Sequence, residues 1–281
     1  MRLRRLLIAV TALSLVGGIV ASAATADAAA KPVKRRSVAW APAASATVHP
    51  GVQTDTGGSQ CTANFVYTDA TSVYIGQAAH CSGTGAATDT NGCTAKTLPE
   101  GTAVTVDGAS RPGVMVYNSW ARMQAAHEGD ANTCAYNDLA LIRLDPADVA
   151  KTNPSVPSFG GPTGLRTTEL AVGDTVESYG NSSLRFGLTP FSPKYGRSLG
   201  DDSGGWNHTV YTVTPGIPGD SGSGFLDDSG KAFGILSTVA VAPLPLSNGV
   251  GDLSRELSYA NAHGMSGVAL ALGTEPFTGG I

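Results

Sequence analysis

Short runs of β-branched and aromatic residues recur along the chain, separated by glycine, proline and polar turn residues. Runs of this length at this spacing are typical of an antiparallel, all-β architecture. The pattern predicts strands at residues 64–67, 72–78, 103–106, 113–117, 139–144, 175–179, 209–213 and 233–241. Helical periodicity is almost absent. The exception is residues 252–263, where polar and apolar positions mix before Gly264, and there we predict a C-terminal helix.

Residues 146–162 predict a linker, because this stretch contains four prolines and a Gly-Gly pair. It separates two segments of similar length and similar strand content. Two halves of this kind fit two β-barrels that pack together with a cleft between them. We therefore expect a first barrel at about residues 51–150 and a second at about residues 163–265.

The first residues predict export from the cell. Three arginines lie within residues 2–5, an apolar run follows at residues 6–20, and small residues offer cleavage sites at 21–23 and 26–28. We interpret residues 1–28 as a signal peptide. A membrane anchor is the alternative, but the run is short for a span. The mature protein is then secreted, extracellular and free of the membrane.

Residues 29–50 are basic at first and then rich in alanine, without periodicity. They predict a short pro-segment or a disordered arm. The remaining residues, 51–281, are numerous enough for one large all-β domain or for two barrels.

The charge of the chain argues against nucleic acid as a partner. The full chain has a net charge of −4, and removal of residues 1–28, which carry three Arg and one Asp, leaves −6. Nucleic-acid binding needs clustered lysines and arginines, and here the basic residues are scattered.

Four cysteines, Cys61, Cys81, Cys93 and Cys134, are an even number in a chain with an export signal, which favours disulfide bonds. A zinc site is the rival interpretation. We expect no metal, because the chain has no Cys-x-x-Cys pair and only His80 is adjacent to a cysteine. Four cysteines allow three pairings, and their spacing does not choose between them.

The tripeptide Asp-Ser-Gly occurs three times, at residues 202–204, 220–222 and 228–230, and its residue types are common in turns. Only Ser221 has a glycine, Gly219, immediately before its aspartate. Acidic pairs precede the other two serines and would repel an oxyanion. A nucleophilic serine needs a base, a group that orients the base, and donors for the oxyanion. Ser221 is the candidate nucleophile, and a turn serine is the alternative.

Two further residues fit the remaining roles. His80 ends an apolar strand after two alanines and stands beside Cys81, so that its side chain can project from a strand end; a packed structural histidine is the alternative. Asp138 opens an alternating apolar strand, where a buried carboxylate could accept the imidazole N–H. An aspartate that caps a turn after Asn137 is the alternative there.

The order His80, Asp138, Ser221 is one of three chain orders in which this triad occurs. With Ala-Ala-His-Cys at 78–81, Asn-Asp-Leu-Ala-Leu at 137–141 and Gly-Asp-Ser-Gly at 219–222, the sequence resembles the chymotrypsin-like (trypsin-fold) serine proteases, as a secreted bacterial member. The resemblance runs from about Cys61 to about His263. It implies two packed, antiparallel six-stranded β-barrels, an active-site cleft between them and a C-terminal helix.

The resemblance also implies roles for individual residues. Ser221 is the nucleophile, His80 the general base and then the general acid, and Asp138 orients the imidazole. The backbone N–H groups of Gly219 and Ser221 form the oxyanion hole. The resemblance implies two disulfide bonds, one between Cys61 and Cys81 and the other between Cys93 and Cys134.

The sequence departs from the family pattern in front of Ser221. No Ile-Val-Gly-Gly segment precedes Cys61 that could pair with Asp220 after processing, so Asp220 needs another partner, for which Arg185 and Arg197 are candidates. This departure puts activation by insertion of a new N-terminus in doubt.

The specificity pocket departs from the family pattern as well. Pro215 stands at the base of the pocket, where an aspartate would select Lys or Arg. Ser237, Thr238 and Val239 resemble the pocket wall and predict a preference for small or medium apolar side chains. His208 could bind an acidic side chain, as in bacterial glutamate-specific relatives; we favour a solvated loop histidine.

The leading interpretation is a secreted serine endopeptidase that is not specific for Lys or Arg, needs no cofactor, acts on proteins or peptides and is monomeric. One alternative is a serine esterase, although the strict Gly-x-Ser-x-Gly elbow is not met, because Ser223 stands where the second glycine belongs. Another alternative is an inactive binding or adhesion module on the same fold.

Overall fold

A computed structural model describes residues 37–86, 88–239 and 245–279 of the chain. The signal-peptide prediction for residues 1–28 lies outside the described residues. Within them, no helix has the length and hydropathy that a membrane span requires.

The described residues contain fifteen strands, many of them short: β1 (Gln53–Thr56), β2 (Ser59–Thr62), β3 (Val66–Thr68), β4 (Val73–Ala78), β5 (Ala103–Val106), β6 (Gly113–Asn118), β7 (Leu139–Arg143), β8 (Gly164–Leu165), β9 (Thr175–Tyr179), β10 (Pro193–Asp202), β11 (Asn207–Thr212), β12 (Gly224–Asp227), β13 (Lys231–Val239), β14 (Asn248–Asp252) and β15 (Ala269–Leu270). The α-helices of this part are α1 (Ser119–Ala126), α2 (Ala131–Tyr136), α3 (Pro146–Val149) and α4 (Leu253–Ala262).

The strands form two sheets that follow the two halves of the chain. The first has the order β15-β3-β4-β7-β6-β5-β1-β2. In the second, β12-β9-β10-β11-β14-β13 closes into a six-stranded antiparallel barrel, because β12 also pairs with β13, and β8 adds a parallel strand to β13. The predicted all-β fold with a C-terminal helix is confirmed. The first sheet has eight strands where the resemblance implied six, partly because the C-terminal end of the chain contributes β15.

Each predicted strand overlaps an observed one, but several strands lack the expected pattern. β10 is rich in glycine and charged residues, and β14 reads Asn-Gly-Val-Gly-Asp. At Gly196 in β10, a Cβ would lie 2.2 Å from the carbonyl oxygen of Tyr211. The glycine is needed because the neighbouring strand approaches closely, and this is a tertiary requirement that hydrophobic alternation does not reveal.

The pattern of hydrophobic residues also fails to predict the short helices α1 and α2 between β6 and β7. Asn118 and Asp130 precede α1 and α2 and cap them, because their side chains accept the N–H groups of Ala121 and Thr133. Such caps stabilise helices too short to show an apolar stripe.

The described part of the predicted arm, residues 37–50, packs against the first half of the chain. Val48 is completely buried in its hydrophobic core, and the N–H of Ala41 donates to the carbonyl oxygen of Thr152 at 3.0 Å. The expectation of an unpacked arm is therefore wrong for these residues, because a few apolar side chains suffice to anchor an alanine-rich segment.

Two hydrophobic clusters hold the strands that carry the candidate site. One contains Ile75 from β4 and Ile142 from β7, with Trp120 of α1 packed against them. The other joins Leu139 of β7 to Leu257 of α4 and to side chains of the closed barrel. Because β4, β7 and α4 all contribute to these clusters, their ends are held in fixed positions.

Candidate active site

His80 lies just beyond the end of β4, in a single turn of 3-10 helix, Ala79–Ser82. Ala78 and Ala79, which precede it, are fully buried at this strand end. Cys81 forms a disulfide with Cys61 of β2, which ties the turn to the neighbouring strand.

Asp138 immediately precedes β7 and is 2% exposed. Because Ala78 of β4 pairs with Leu139 of β7, the residues just beyond this pair, His80 and Asp138, come together. Asp138 Oδ1 accepts the backbone N–H of His80 at 2.8 Å, and its Oδ2 lies 2.7 Å from His80 Nδ1. The register of two strands thus places the imidazole against the carboxylate.

Ser237 on β13 provides a third contact to this carboxylate. Its hydroxyl donates to Asp138 Oδ2 at 2.6 Å. The sequence predicts Ser237 only as part of a pocket wall, because nothing in the local sequence indicates that its hydroxyl reaches an aspartate in the other half of the chain.

The environment of His80 favours an imidazole with its proton on Nδ1. Burial lowers the pKa of His80, but the charge and the hydrogen bond of Asp138 outweigh burial, so that the pKa is raised from its ordinary value of 6.5. No protein atom among the described residues binds Nε2, and 27% of the side chain is exposed. Nε2 therefore remains available to a hydroxyl or a leaving group.

Ser221 lies in a tight loop that contains two glycines with left-handed backbone. Gly219 has φ +94° and Gly222 has φ +86°, and a Cβ at Gly222 would lie 2.6 Å from the backbone nitrogen of Ala78. The carbonyl oxygen of Ser221 accepts the N–H of Thr62 at 2.9 Å. The loop is thereby attached to β2, whose Cys61 forms the disulfide with Cys81 beside His80.

The backbone N–H groups of Gly219 and Ser221 donate to no protein acceptor within the described ranges, whereas Gly222 donates to the carbonyl of Leu236 at 2.7 Å. Two unpaired donors on neighbouring loop residues are the feature that binding an oxyanion requires.

Asp220 points into the protein and contacts two cations. Its Oδ2 lies 2.5 Å from Arg185 Nη2 and 2.9 Å from Lys194 Nζ, and both Asp220 and Lys194 are fully buried. Of the two expected candidates, Arg185 is the partner, while Arg197 donates to Gly173 and Thr175.

Lys194 was missed because a lysine between a proline and a tyrosine predicts solvent exposure rather than complete burial. Burial lowers the pKa of Lys194 and the charge of Asp220 opposes that shift, although the net direction is downward.

The other two Asp-Ser-Gly tripeptides form turns. Ser203 begins a short 3-10 turn, Ser203–Gly205, and has φ +53°. The Ser229 hydroxyl donates to Asp227 Oδ1 at 2.7 Å. Neither serine lines the cavity that contains Ser221.

A cavity of about 840 Å³ contains His80, Asp138 and Ser221 in its lining. Of the predicted pocket residues, Ser237 and Thr238 line it, whereas Pro215 does not; the side chain of Val239 is outside the described part. The lining also includes three large apolar side chains that the sequence analysis does not predict, Ile217, Leu236 and Leu246.

His208 is neither a pocket residue nor a solvated loop residue. It lies on β11, is 1% exposed and stands between Asp201 and Asp252. Sequence reasoning failed here because both aspartates belong to other strands, which β11 meets only in the folded barrel.

The other predicted disulfide, Cys93–Cys134, is present and joins the loop before β5 to α2. Potential metal ligands from Cys61, His80 and Cys81 lie within 4.8 Å of one another. Because both sulfur atoms form the disulfide, they offer no thiolate to a metal.

No protein-family model matches the sequence, and no curated protein matches it either. Solved structures are similar. Thermobifida fusca protease A has a TM-score of 0.52 and 17% identity, and the match covers 80% of this chain and 99% of that chain. A glutamic-acid-specific serine protease, described as using a histidine triad in substrate binding, has a TM-score of 0.51 and 19% identity over 80% of this chain and 100% of that one.

A third structure, of a Glu endopeptidase, has a TM-score of 0.50 and 16% identity, with 76% of this chain and 91% of that chain covered. At such identities the likeness concerns the fold, and the fold is that of the chymotrypsin-like serine proteases.

Proposed function

We propose that this chain, which has the chymotrypsin-like serine protease fold, is a secreted serine endopeptidase that hydrolyses peptide bonds through an acyl-enzyme. The observation that carries the proposal is the contact between His80 and a buried Asp138 carboxylate in the same cavity as Ser221. The signal peptide at residues 1–28 and a protease domain at residues 51–281, onto which residues 37–50 pack, belong to this proposal.

In the first step, Ser221 Oγ attacks the carbonyl carbon of the scissile bond and His80 Nε2 takes the hydroxyl proton. Asp138 stabilises the imidazolium because Nδ1–H donates to its Oδ2. The imidazolium then protonates the leaving amine, and the C–N bond breaks. In the second half, water attacks the acyl-enzyme, His80 again accepts and returns a proton, and Ser221 is released with the acid product.

The oxyanion of each tetrahedral intermediate accepts the N–H groups of Gly219 and Ser221. The pair of cations at Asp220 supports this assignment, since Arg185 and Lys194 hold the intervening residue in place from the protein interior. This arrangement needs no newly formed N-terminus to organise the loop, in contrast to activation by terminal insertion.

The cavity favours a substrate with an uncharged, apolar side chain before the scissile bond, because Ile217, Leu236 and Leu246 line it. Lys194 and Arg185 both donate to the carbonyl of Pro215, next to the cavity wall, at 3.1 and 3.4 Å. With the single carboxylate of Asp220 between them, the two cations leave a net positive charge behind this carbonyl, which disfavours Lys and Arg side chains. The specificity of the glutamate-specific neighbour is not carried over, since His208 is enclosed by two aspartates outside the cavity.

The test is labelling of the secreted, processed protein with a fluorophosphonate, followed by peptide mapping. We expect an adduct on Ser221 that is lost in Ser221→Ala and His80→Ala. Ser229→Ala, in another Asp-Ser-Gly tripeptide, is the matched control and labels normally. An unlabelled but folded protein would refute the proposal and favour a non-catalytic binding module. Turnover of esters without turnover of peptide amides would favour an esterase.

A further inference from the structure

Glu256 is a buried acid directly behind the candidate triad. It belongs to the first turn of α4, and its side chain is completely buried. Its Oε1 accepts the backbone N–H of Asp138 at 2.9 Å. No protein atom within the described residues binds Oε2. The acid therefore contacts the residue that orients His80, but it contacts the main chain of that residue and not its carboxylate.

The backbone of Asp138 is held from two sides by this contact. Its carbonyl oxygen accepts the N–H of Ala79, one residue before His80, at 2.6 Å, and its N–H is held by Glu256. The first bond ties Asp138 to the turn that carries His80, and the second ties it to α4. Loss of the second bond would leave a buried N–H unpaired and free Asp138 to move away from the imidazole.

We propose that Glu256 is a positioning residue which holds Asp138 against His80 as a neutral, protonated carboxylic acid. The proposal rests on the proposed function, since positioning of Asp138 matters most if the triad is catalytic. The carbonyl oxygen Oε1 accepts the N–H of Asp138, and Oε2 carries the proton.

The charges around Glu256 favour its neutral form. Burial raises the pKa of Glu256 well above its ordinary value of 4.5. The nearby carboxylates of Asp138 and Asp252 raise it further, while the N–H of Asp138 acts in the opposite direction. The phenols that interact with Glu256 from the neighbouring strands, Tyr67 and Tyr117, have pKa values raised by their own burial and so are neutral themselves. No cation among the described residues bonds to the acid.

A neutral Glu256 matters for the chemistry because a second negative charge behind Asp138 would raise the pKa of His80 further. More of the imidazole would then be protonated and unable to act as a base. Ionisation of Glu256 at alkaline pH would also place its carboxylate near that of Asp138, and the two negative charges would repel each other. A protonated Glu256 therefore adds no negative charge near His80, and the imidazole interacts with the carboxylate of Asp138 alone.

The experiment compares Glu256→Gln, Glu256→Leu and the wild-type full chain. Glutamine keeps an oxygen that accepts the N–H of Asp138 but has no ionisable proton, and leucine removes the acceptor. We expect fluorophosphonate labelling of Glu256→Gln at neutral pH within about threefold of wild type, and labelling of Glu256→Leu slowed by about 10- to 100-fold. The alkaline limb of the labelling rate should extend to higher pH in Glu256→Gln than in wild type.

Asn261→Ala is the control for destabilisation of the same helix. Asn261 lies near the end of α4, and its amide donates to the carbonyl oxygens of Leu257 and Val268 at 2.8 and 3.0 Å. This variant should unfold at a lower temperature while its labelling rate remains within about threefold of wild type. Wild-type labelling of Glu256→Leu, or a loss in Glu256→Gln as large as in Glu256→Leu, would overturn the proposal.

Two readouts do not depend on activity. The infrared difference between wild type and Glu256→Gln at pH 7 should contain the C=O stretch of a protonated carboxylic acid; a carboxylate band alone would overturn the neutral assignment. The proton NMR signal of His80 Nδ1–H should persist in Glu256→Gln and shift or broaden in Glu256→Leu, whereas an unchanged signal in both would overturn the positioning role. If wild type fails to label while both signals behave as expected, the proposed function fails and Glu256 retains its structural assignment.

Discussion

Two histidines in this protein face buried carboxylates, but only one of them borders the cavity. His80 has Asp138 at 2.7 Å from Nδ1, and 27% of its side chain is exposed. His208 has Asp201 at 2.5 Å from Nδ1 and Asp252 at 3.0 Å from Nε2, and is 1% exposed. The residue types are the same in both places. The difference is that, within the described ranges, the Nε2 atom of His80 has no protein partner, whereas both ring nitrogens of His208 face an aspartate.

The pKa values of the two imidazoles are raised in the same way. Burial lowers both, and at each site hydrogen bonds and charges of the aspartates outweigh burial. The second proton of His208 has a structural role. It lets the imidazolium on β11 bond both to Asp201 of β10 and to Asp252, the residue that caps α4. At His80 the proton can be exchanged with a reactant. A raised histidine pKa therefore does not by itself identify a catalytic group, because the enclosed His208 has one as well.

The largest expected effect is that of Asp138→Asn. The amide keeps an oxygen for the N–H of His80 but cannot hold the imidazole in the tautomer that leaves Nε2 as acceptor. We expect the labelling rate of Ser221 to fall about 10⁴-fold, while thermal unfolding changes little. The measurement is labelling kinetics beside calorimetry; a loss below about tenfold would show that Asp138 is not the orienting group.

His208→Leu should affect stability and not chemistry. Removal of the imidazolium leaves Asp201 and Asp252 without their shared partner, and breaking one side of a buried ion pair costs about 3–5 kcal/mol. The free energy of unfolding, measured with denaturant, should fall by that amount. Labelling of the folded variant at low temperature should match wild type.

His127→Asn is the matched control for His208→Leu. His127 is exposed and has φ +51°, a conformation that asparagine tolerates. We expect a change in stability within about 0.5 kcal/mol. If His208→Leu were as mild as this control, the ion-pair interpretation of His208 would be wrong.

The smallest effect is the opposite response of the two sites to pH. A pKa raised in the folded state adds stability that is complete below 6.5, the ordinary value, and is lost as pH rises through the folded pKa. The stability difference between wild type and His208→Leu should therefore shrink as pH rises above 6.5, the ordinary pKa of histidine. Over the same range the labelling rate of Ser221 should rise, because His80 loses its proton and becomes a base. A stability difference that grows with pH would contradict the assignment of His208 as an imidazolium.

The all-β class, the C-terminal helix and the order of the candidate triad could all be inferred from the sequence, and the reason is local. Short, mostly apolar runs such as β4 and β7 are typical of strands that are buried on both faces, and nearly all their residues are buried here. Asp252 caps α4 with its own side chain. Gly219 and Gly222 have positive φ angles, a backbone conformation that glycine adopts more easily than other residues. These signals need no knowledge of distant residues.

The contacts that set charge and geometry were decided by the tertiary structure. Ser237 approaches Asp138 from a strand 99 residues away, and Glu256 reaches its backbone from 118 residues away. Lys194 can be buried because Asp220 compensates its charge. Gly196 of β10 allows the backbone of β11 to approach closely. The neighbouring sequence alone predicts that a lysine, a glutamate or a glycine-rich stretch is exposed to solvent. Whether such a residue can be buried depends on the partner that folding brings to it, and the identity of that partner is not a local property of the chain.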